Sequence, residues 1–205
     1  MTRLYADHVD VLVAQLRDEI GLPDRAAGAP GLVVLMGYPG VGKSHCARLL
    51  AARLGAAHVS SDELRTRLFI APSYSELENA TLFKCVDALV DGLLAERHRV
   101  IVDATNLLAR YRAASVGAAE RRGAPVVFVW VGSDEAATRA RLARRREARA
   151  ADDHSDADER VYERMRERPF EPPAAGYLEL VNGAALDTEI ERIAQEVERA
   201  CASAI

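Results

Sequence analysis

The sequence predicts an α/β domain, a three-layer sandwich in which helices cover both faces of a five-stranded parallel sheet, and three observations carry that prediction. From Leu32 onward, short apolar runs alternate with helix-patterned segments. The runs themselves do not alternate apolar with polar residues, which is the pattern of strands buried on both faces. A glycine-rich turn links the first run to the first of these helices, and parallel sheets bind ligands at the carboxyl ends of their strands.

In chain order, Val9, Leu12, Val13, Leu16 and Ile20 recur at helical spacing and predict an N-terminal amphipathic helix. Gly21, Pro23 and Gly28 to Pro30 form a linker, so residues 1–30 stand apart from a domain over 31–205. The strands are expected at LVVLMG, AHVS, RVIVDA, PVVFVWVG and YLELVN. Between them come a helix ending near Leu54, helices through Glu96, a helix to about Arg122 and an arginine-rich helical segment over about 134–168. A last helix starts near Asp187. At 205 residues the chain supports one full core.

A hydrophobic share of 49% with 28% charged residues is ordinary for a globular protein. The net charge of -4 supplies no global field for nucleic acid or an anionic membrane. Cys46, Cys85 and Cys201 are odd in number and widely spaced, which argues for buried thiols in a reducing cytoplasm and against a disulfide framework. No apolar run approaches the roughly 18 residues of a membrane span, and the first residues lack a signal-peptide pattern.

Gly37-Tyr38-Pro39-Gly40-Val41-Gly42-Lys43-Ser44 fits G-x-x-x-x-G-K-[ST] between a strand and a helix, the setting of a phosphate-binding P-loop. Gly37, Gly40, Val41 and Gly42 supply the backbone cradle, Lys43 reaches the β- and γ-phosphates, and the Ser44 hydroxyl can ligate Mg²⁺. Lysine is scarce in this chain: Lys84 is the only other one, and its context, Phe83-Lys84-Cys85, is not a guanine reader. ATP is therefore the expected nucleotide.

The second strand runs into Ser60-Ser61-Asp62-Glu63-Leu64-Arg65. Asp62 can hydrogen-bond an attacking hydroxyl, and Arg65, one turn on, can grip an acceptor phosphate. Equally, Ser60 and Glu63 form a capping-box pattern in which Asp62 serves the helix dipole. Asp103 ends an apolar strand and continues as Ala104-Thr105-Asn106, a position suited to holding magnesium or its water, or to a plain turn. Arg139, Arg141, Arg144, Arg145, Arg146 and Arg149 crowd one helix, either as a lid over phosphates or as a surface paired with the acids of 152–159. His154 with Asp152, Asp153 and Asp156 reads as a helix start, where Ser155 caps, before it reads as a metal site.

Together these residues resemble the P-loop polynucleotide 5′-hydroxyl kinases and their zeta-toxin-like and AAA-type ATP-binding relatives, over about Leu32 to Arg168. The resemblance implies a nucleoside-kinase-like P-loop NTPase fold that uses ATP and Mg²⁺ to phosphorylate a hydroxyl. It also implies Asp62 as general base, Arg65 as acceptor clamp, Arg112 as the arginine that follows Asp103, Thr105 and Asn106, and Arg141 and Arg145 as lid arginines. A nucleotide or oligonucleotide end is the implied acceptor. A small metabolite or antibiotic hydroxyl, or an ATP-driven switch acting on a protein partner, are the competing expectations.

Overall fold

The computed structural model describes residues 9–20, 22, 29–148 and 159–204. Along the chain run α1 (Val9–Glu19), β1 (Gly31–Met36), α2 (Lys43–Leu54), β2 (Ala57–Ser60), α3 (Ser61–Leu68), α4 (Glu76–Ala95) and β3 (Arg99–Asp103). There follow α5 (Ala109–Arg121), β4 (Val126–Gly132), α6 (Glu135–Ala148), α7 (Glu159–Arg166), β5 (Leu178–Val181) and α8 (Leu186–Ser203).

The five strands form one sheet in the order β2-β3-β1-β4-β5, and every pairing is parallel. β1 is central and all six of its residues are buried, because β3 and β4 flank it and helices cover both faces. Its register sets Val34 between Val102 and Phe128. On one face Val33, Leu35, Ile101 and Val129 pack with Leu50 of α2 and Ile193 and Val197 of α8. On the other, Val34, Met36, Val59 and Val102 pack with Leu64 of α3 and Leu82, Val86 and Leu89 of α4. The pleat directs alternate residues of each strand to opposite layers, which is why these strands are apolar throughout.

The N-terminal helix belongs to this second layer. Its Leu16 and, just past its end, Ile20 are buried against the core and it packs on α4, with Arg17 ion-paired to Glu96. The helix apolar stripe thus covers the domain itself. Serine caps start two helices: Ser60 Oγ accepts from the Glu63 N–H at 3.4 Å and Ser75 Oγ from the Glu78 N–H at 3.3 Å. Among the described residues no helix is long and apolar enough to cross a membrane.

The topology places the site. From β1 the chain passes over β3 to β2, and from β3 it passes over β1 to β4, so the strand order reverses at the carboxyl end of β1. The glycine-rich loop occupies that end.

Candidate nucleotide site

The loop from Gly37 to Gly42 is held open by its surroundings. Gly42 has φ 95° and Gly37 φ 146°, and a Cβ on Gly42 would lie 2.0 Å from Asn182 Nδ2, one on Gly37 2.5 Å from the Val131 carbonyl. Only glycine satisfies both the dihedrals and the space.

Side chains from three directions take the loop's carbonyls. Arg141 Nε donates to the Gly40 carbonyl at 3.1 Å, Asn182 Nδ2 to that of Val41 at 2.8 Å, and Lys43 Nζ to that of Tyr38 at 2.8 Å. In a planar trans peptide the N–H points opposite to the C=O. With the Gly40 and Val41 carbonyls turned to Arg141 and Asn182, the N–H groups of Val41 and Gly42 face away from those side chains. They add to the N–H groups of the first turn of α2, the arrangement that binds anions.

The Asp103–Asn106 segment braces the loop from the β3 side. Asn106, with φ 50°, is buried and its Nδ2 donates to the Leu35 carbonyl at 2.8 Å, while the Thr105 carbonyl accepts from the Gly37 N–H at 3.1 Å. Arg112 is buried too and donates to the carbonyls of Asn106 and Glu171. The arginine that the resemblance singled out is thus a strut between loops.

Asp103 stands at the end of β3, 3% exposed, with Oδ2 3.2 Å from His58 Nε2 and the Ser44 hydroxyl as a further hydrogen-bonding neighbour. Burial by itself opposes ionisation, but the hydrogen bond and charge of His58, then Lys43 and Ser44, hold its carboxyl below the usual range. Asp103 is therefore a carboxylate at neutral pH. A serine hydroxyl and a carboxylate are hard oxygen donors of the kind magnesium takes alongside phosphates, and Lys43 lies within electrostatic reach of Asp103. The residues present fit that ion.

Cys46, on the inner face of α2, is fully buried, and burial, followed by the nearby Asp103 charge, pushes its thiol up to about 11. Cys85 and Cys201 are likewise free and buried, with thiols raised by burial. Since the thiolate is the reactive form, a thiol-reactive dye at pH 8 is expected to label none of the three cysteines rapidly in the native protein and all three in denaturant.

On the acceptor side, Asp62 is half-buried in the first turn of α3, two residues beyond Ser60, which pairs with Asp103 across β2 and β3. Arg65 is 6% exposed. Its Nη2 donates to Asn79 Oδ1 at 2.7 Å, Nη1 lies 3.8 Å from the Glu78 carboxylate, and the Tyr74 ring covers the guanidinium at 4.4 Å. Among the described residues, its Nε and Nη1 have no hydrogen-bond acceptor. Tyr74 itself is held at φ 55°, its N–H bonded to Glu78.

The arginine-rich helix α6 divides in its roles. Arg141 reaches the loop and also donates to Ser133 Oγ. Arg139 instead pairs with Glu135 at 3.0 Å and with Glu163 of α7, and Arg144 is exposed. α7 is tied to the loop by Tyr162, buried edge-on to Tyr38 at 6.4 Å and flanked by Arg139 and Arg166. The side chains of Arg145 and Arg146, and residues 149–158 with Arg149, His154 and the neighbouring acids, lie outside the described residues.

Sequence reasoning passed over two residues of this site. Asn182 directly follows β5 and His58 is a polar residue inside the short run of β2, and both positions are legible in retrospect as polar groups at or near strand ends.

The fold is that of a kinase-like P-loop NTPase. The family model described as AAA domain matches residues 32–173, and the chain belongs to that family. No curated protein sequence matches it. Among solved structures it is similar to the APS kinase CysC of Mycobacterium tuberculosis in complex with AMPPNP and APS, at 23% identity and TM-score 0.61, over 83% of this chain and 98% of that one. It is similar to Kti12 of Chaetomium thermophilum with ADP-AlF3, at 20% identity and TM-score 0.64, over 83% and 98%. A gluconokinase from Sinorhizobium meliloti 1021 shares 18% identity and TM-score 0.59, over 85% and 95%.

Proposed function

We propose that the chain is an ATP-dependent phosphotransferase that moves the γ-phosphate onto a hydroxyl, with a nucleotide or oligonucleotide 5′ end as acceptor. The observation that carries this reading is the convergence of Lys43, Ser44 and Asp103 at one loop, with Asp62 beyond the adjacent strand end. The N–H groups of Val41 and Gly42 and the start of α2 bind phosphate oxygens, and Lys43 exchanges the Tyr38 carbonyl for the β- and γ-phosphates. Magnesium, held by Ser44 and Asp103, would neutralise charge on the transferring group. Asp62 orients the attacking hydroxyl and accepts its hydrogen bond. Arg65, whose buried Nε and Nη1 lack acceptors among the described residues, supports an acceptor that brings an anionic group of its own.

Arg141 complements the γ-phosphate as charge redistributes, from a helix already docked on the loop. Arg141→Ala is expected to lower kcat roughly 10²-fold while raising the ATP Kd by less than about tenfold. Arg144→Ala, on the exposed side, should leave both near wild type. Equal effects of the two would reduce the helix to a charged surface.

A second reading, a kinase of a small anionic metabolite, is supported by the enclosure of Arg65 behind Tyr74 and by the likeness to APS kinase and gluconokinase. Transfer from γ-labelled ATP separates the two. A 3′-phosphorylated nucleoside is expected to be labelled at least about tenfold faster than the bare nucleoside, the worth of one charge-assisted contact, and Arg65→Ala should erase the difference. Labelling of sugar acids or other metabolites alone would put the small-metabolite kinase in its place, and ATP turnover with no labelled acceptor would point to a hydrolysing switch.

A further inference from the structure

His58 is the one residue of β2 with an ionisable side chain, and the fold aims it at the nucleotide site. In the β2–β3 register His58 pairs with Ile101 and Ser60 with Asp103, so His58 lies one pleat repeat below Asp103 on the face that carries α2. From there its Nε2 comes within 3.2 Å of Asp103 Oδ2, with the two side chains 14% and 3% exposed. A buried carboxylate needs a hydrogen-bonding partner for each oxygen. Asp103 is approached by His58 from the sheet and by Ser44 from the first turn of α2.

We infer that His58 is a positioning residue for the cation of the nucleotide site: by engaging Oδ2 it fixes the rotation of the Asp103 carboxylate, which keeps the carboxylate presented to Ser44 and to the divalent ion that accompanies ATP. His58 touches neither nucleotide nor acceptor. With an apolar side chain at position 58 the carboxylate would be free to turn, and one buried oxygen would lose its partner. Partners of this kind behind a metal-binding group typically govern metal affinity by 10- to 100-fold (about that range). The inference rests on the assignment of Ser44 and Asp103 to magnesium and is independent of the acceptor.

The test measures ATP affinity of the full chain by calorimetry in Mg²⁺ and in EDTA, and takes the ratio as the gain due to the cation. Relative to wild type, His58→Leu is expected to shrink that gain about tenfold while leaving ATP affinity in EDTA within about twofold. His58→Gln, whose amide nitrogen can reach Oδ2, should restore most of it. An unchanged gain in folded His58→Leu would overturn the inference and make His58 a core residue only. If that variant does not fold, His58→Asn decides the matter, because its shorter amide should lose the gain that His58→Gln keeps. Equal gains in Asn and Gln would overturn the inference as well. A wild-type protein with no gain from Mg²⁺ would instead sink the assignment of the nucleotide site itself.

Discussion

Lys43→Ala is expected to leave a folded protein that binds ATP-Mg²⁺ at least 10- to 100-fold more weakly and has almost no turnover. Loss of one charge-assisted contact to a phosphate oxygen costs about 1.5–3 kcal/mol, and in the proposed reaction the same ammonium would stabilise charge that grows in the transition state. The fold should tolerate the change, since Lys43 Nζ donates to a loop carbonyl at 2.8 Å and the residue sits at the start of α2, where alanine is a good helix former. Calorimetric titration and a steady-state assay check both halves. Native ATP affinity and turnover in the variant would dismiss the P-loop as a phosphate site.

Asp62→Asn should keep ATP affinity and thermal stability near wild type and lose transfer to a hydroxyl by roughly 10²- to 10⁴-fold, the usual worth of a positioned general base. The structure sharpens this expectation. The cap of α3 is Ser60, whose Oγ accepts from the Glu63 N–H, so Asp62 is not the capping residue and its replacement leaves that bond in place. A first-turn carboxylate also interacts favourably with the helix dipole, a contribution of about 0.3–1 kcal/mol. A loss of Tm without loss of transfer would return Asp62 to that role.

Much of the site was legible in the chain because its parts are local. The P-loop is eight consecutive residues whose geometry follows from glycine dihedrals and a strand-to-helix turn, and Asp103 announces itself by ending an apolar run. The helix ends at Leu54 and near Leu186 were readable from Gly55, which takes φ 57°, and from the start of the final apolar stripe. Arg65 and Arg112 were recognised as arginines of interest, yet spacing said nothing of their burial. Arg112 became a strut because Asn106 and Glu171 present carbonyls to it, and Arg65 was drawn against α4 by Asn79, Glu78 and the ring of Tyr74.

The strand and helix periods, the phosphate loop and the five-strand count were specified by neighbours within a few residues of one another, where dihedral preference and apolar pattern act directly. The order β2-β3-β1-β4-β5 was not, and everything that depends on it came only with the tertiary structure. Placing β3 beside β1 brings Asp103 to Ser44, and placing β2 beside β3 brings His58 to Asp103. The end of β5 and helix α6 supply Asn182 and Arg141 to carbonyls more than 100 positions away in sequence. Contacts of that range are selected by how the apolar faces of sheet and helices close on one another, a property of the whole packed core that no local stretch of chain encodes.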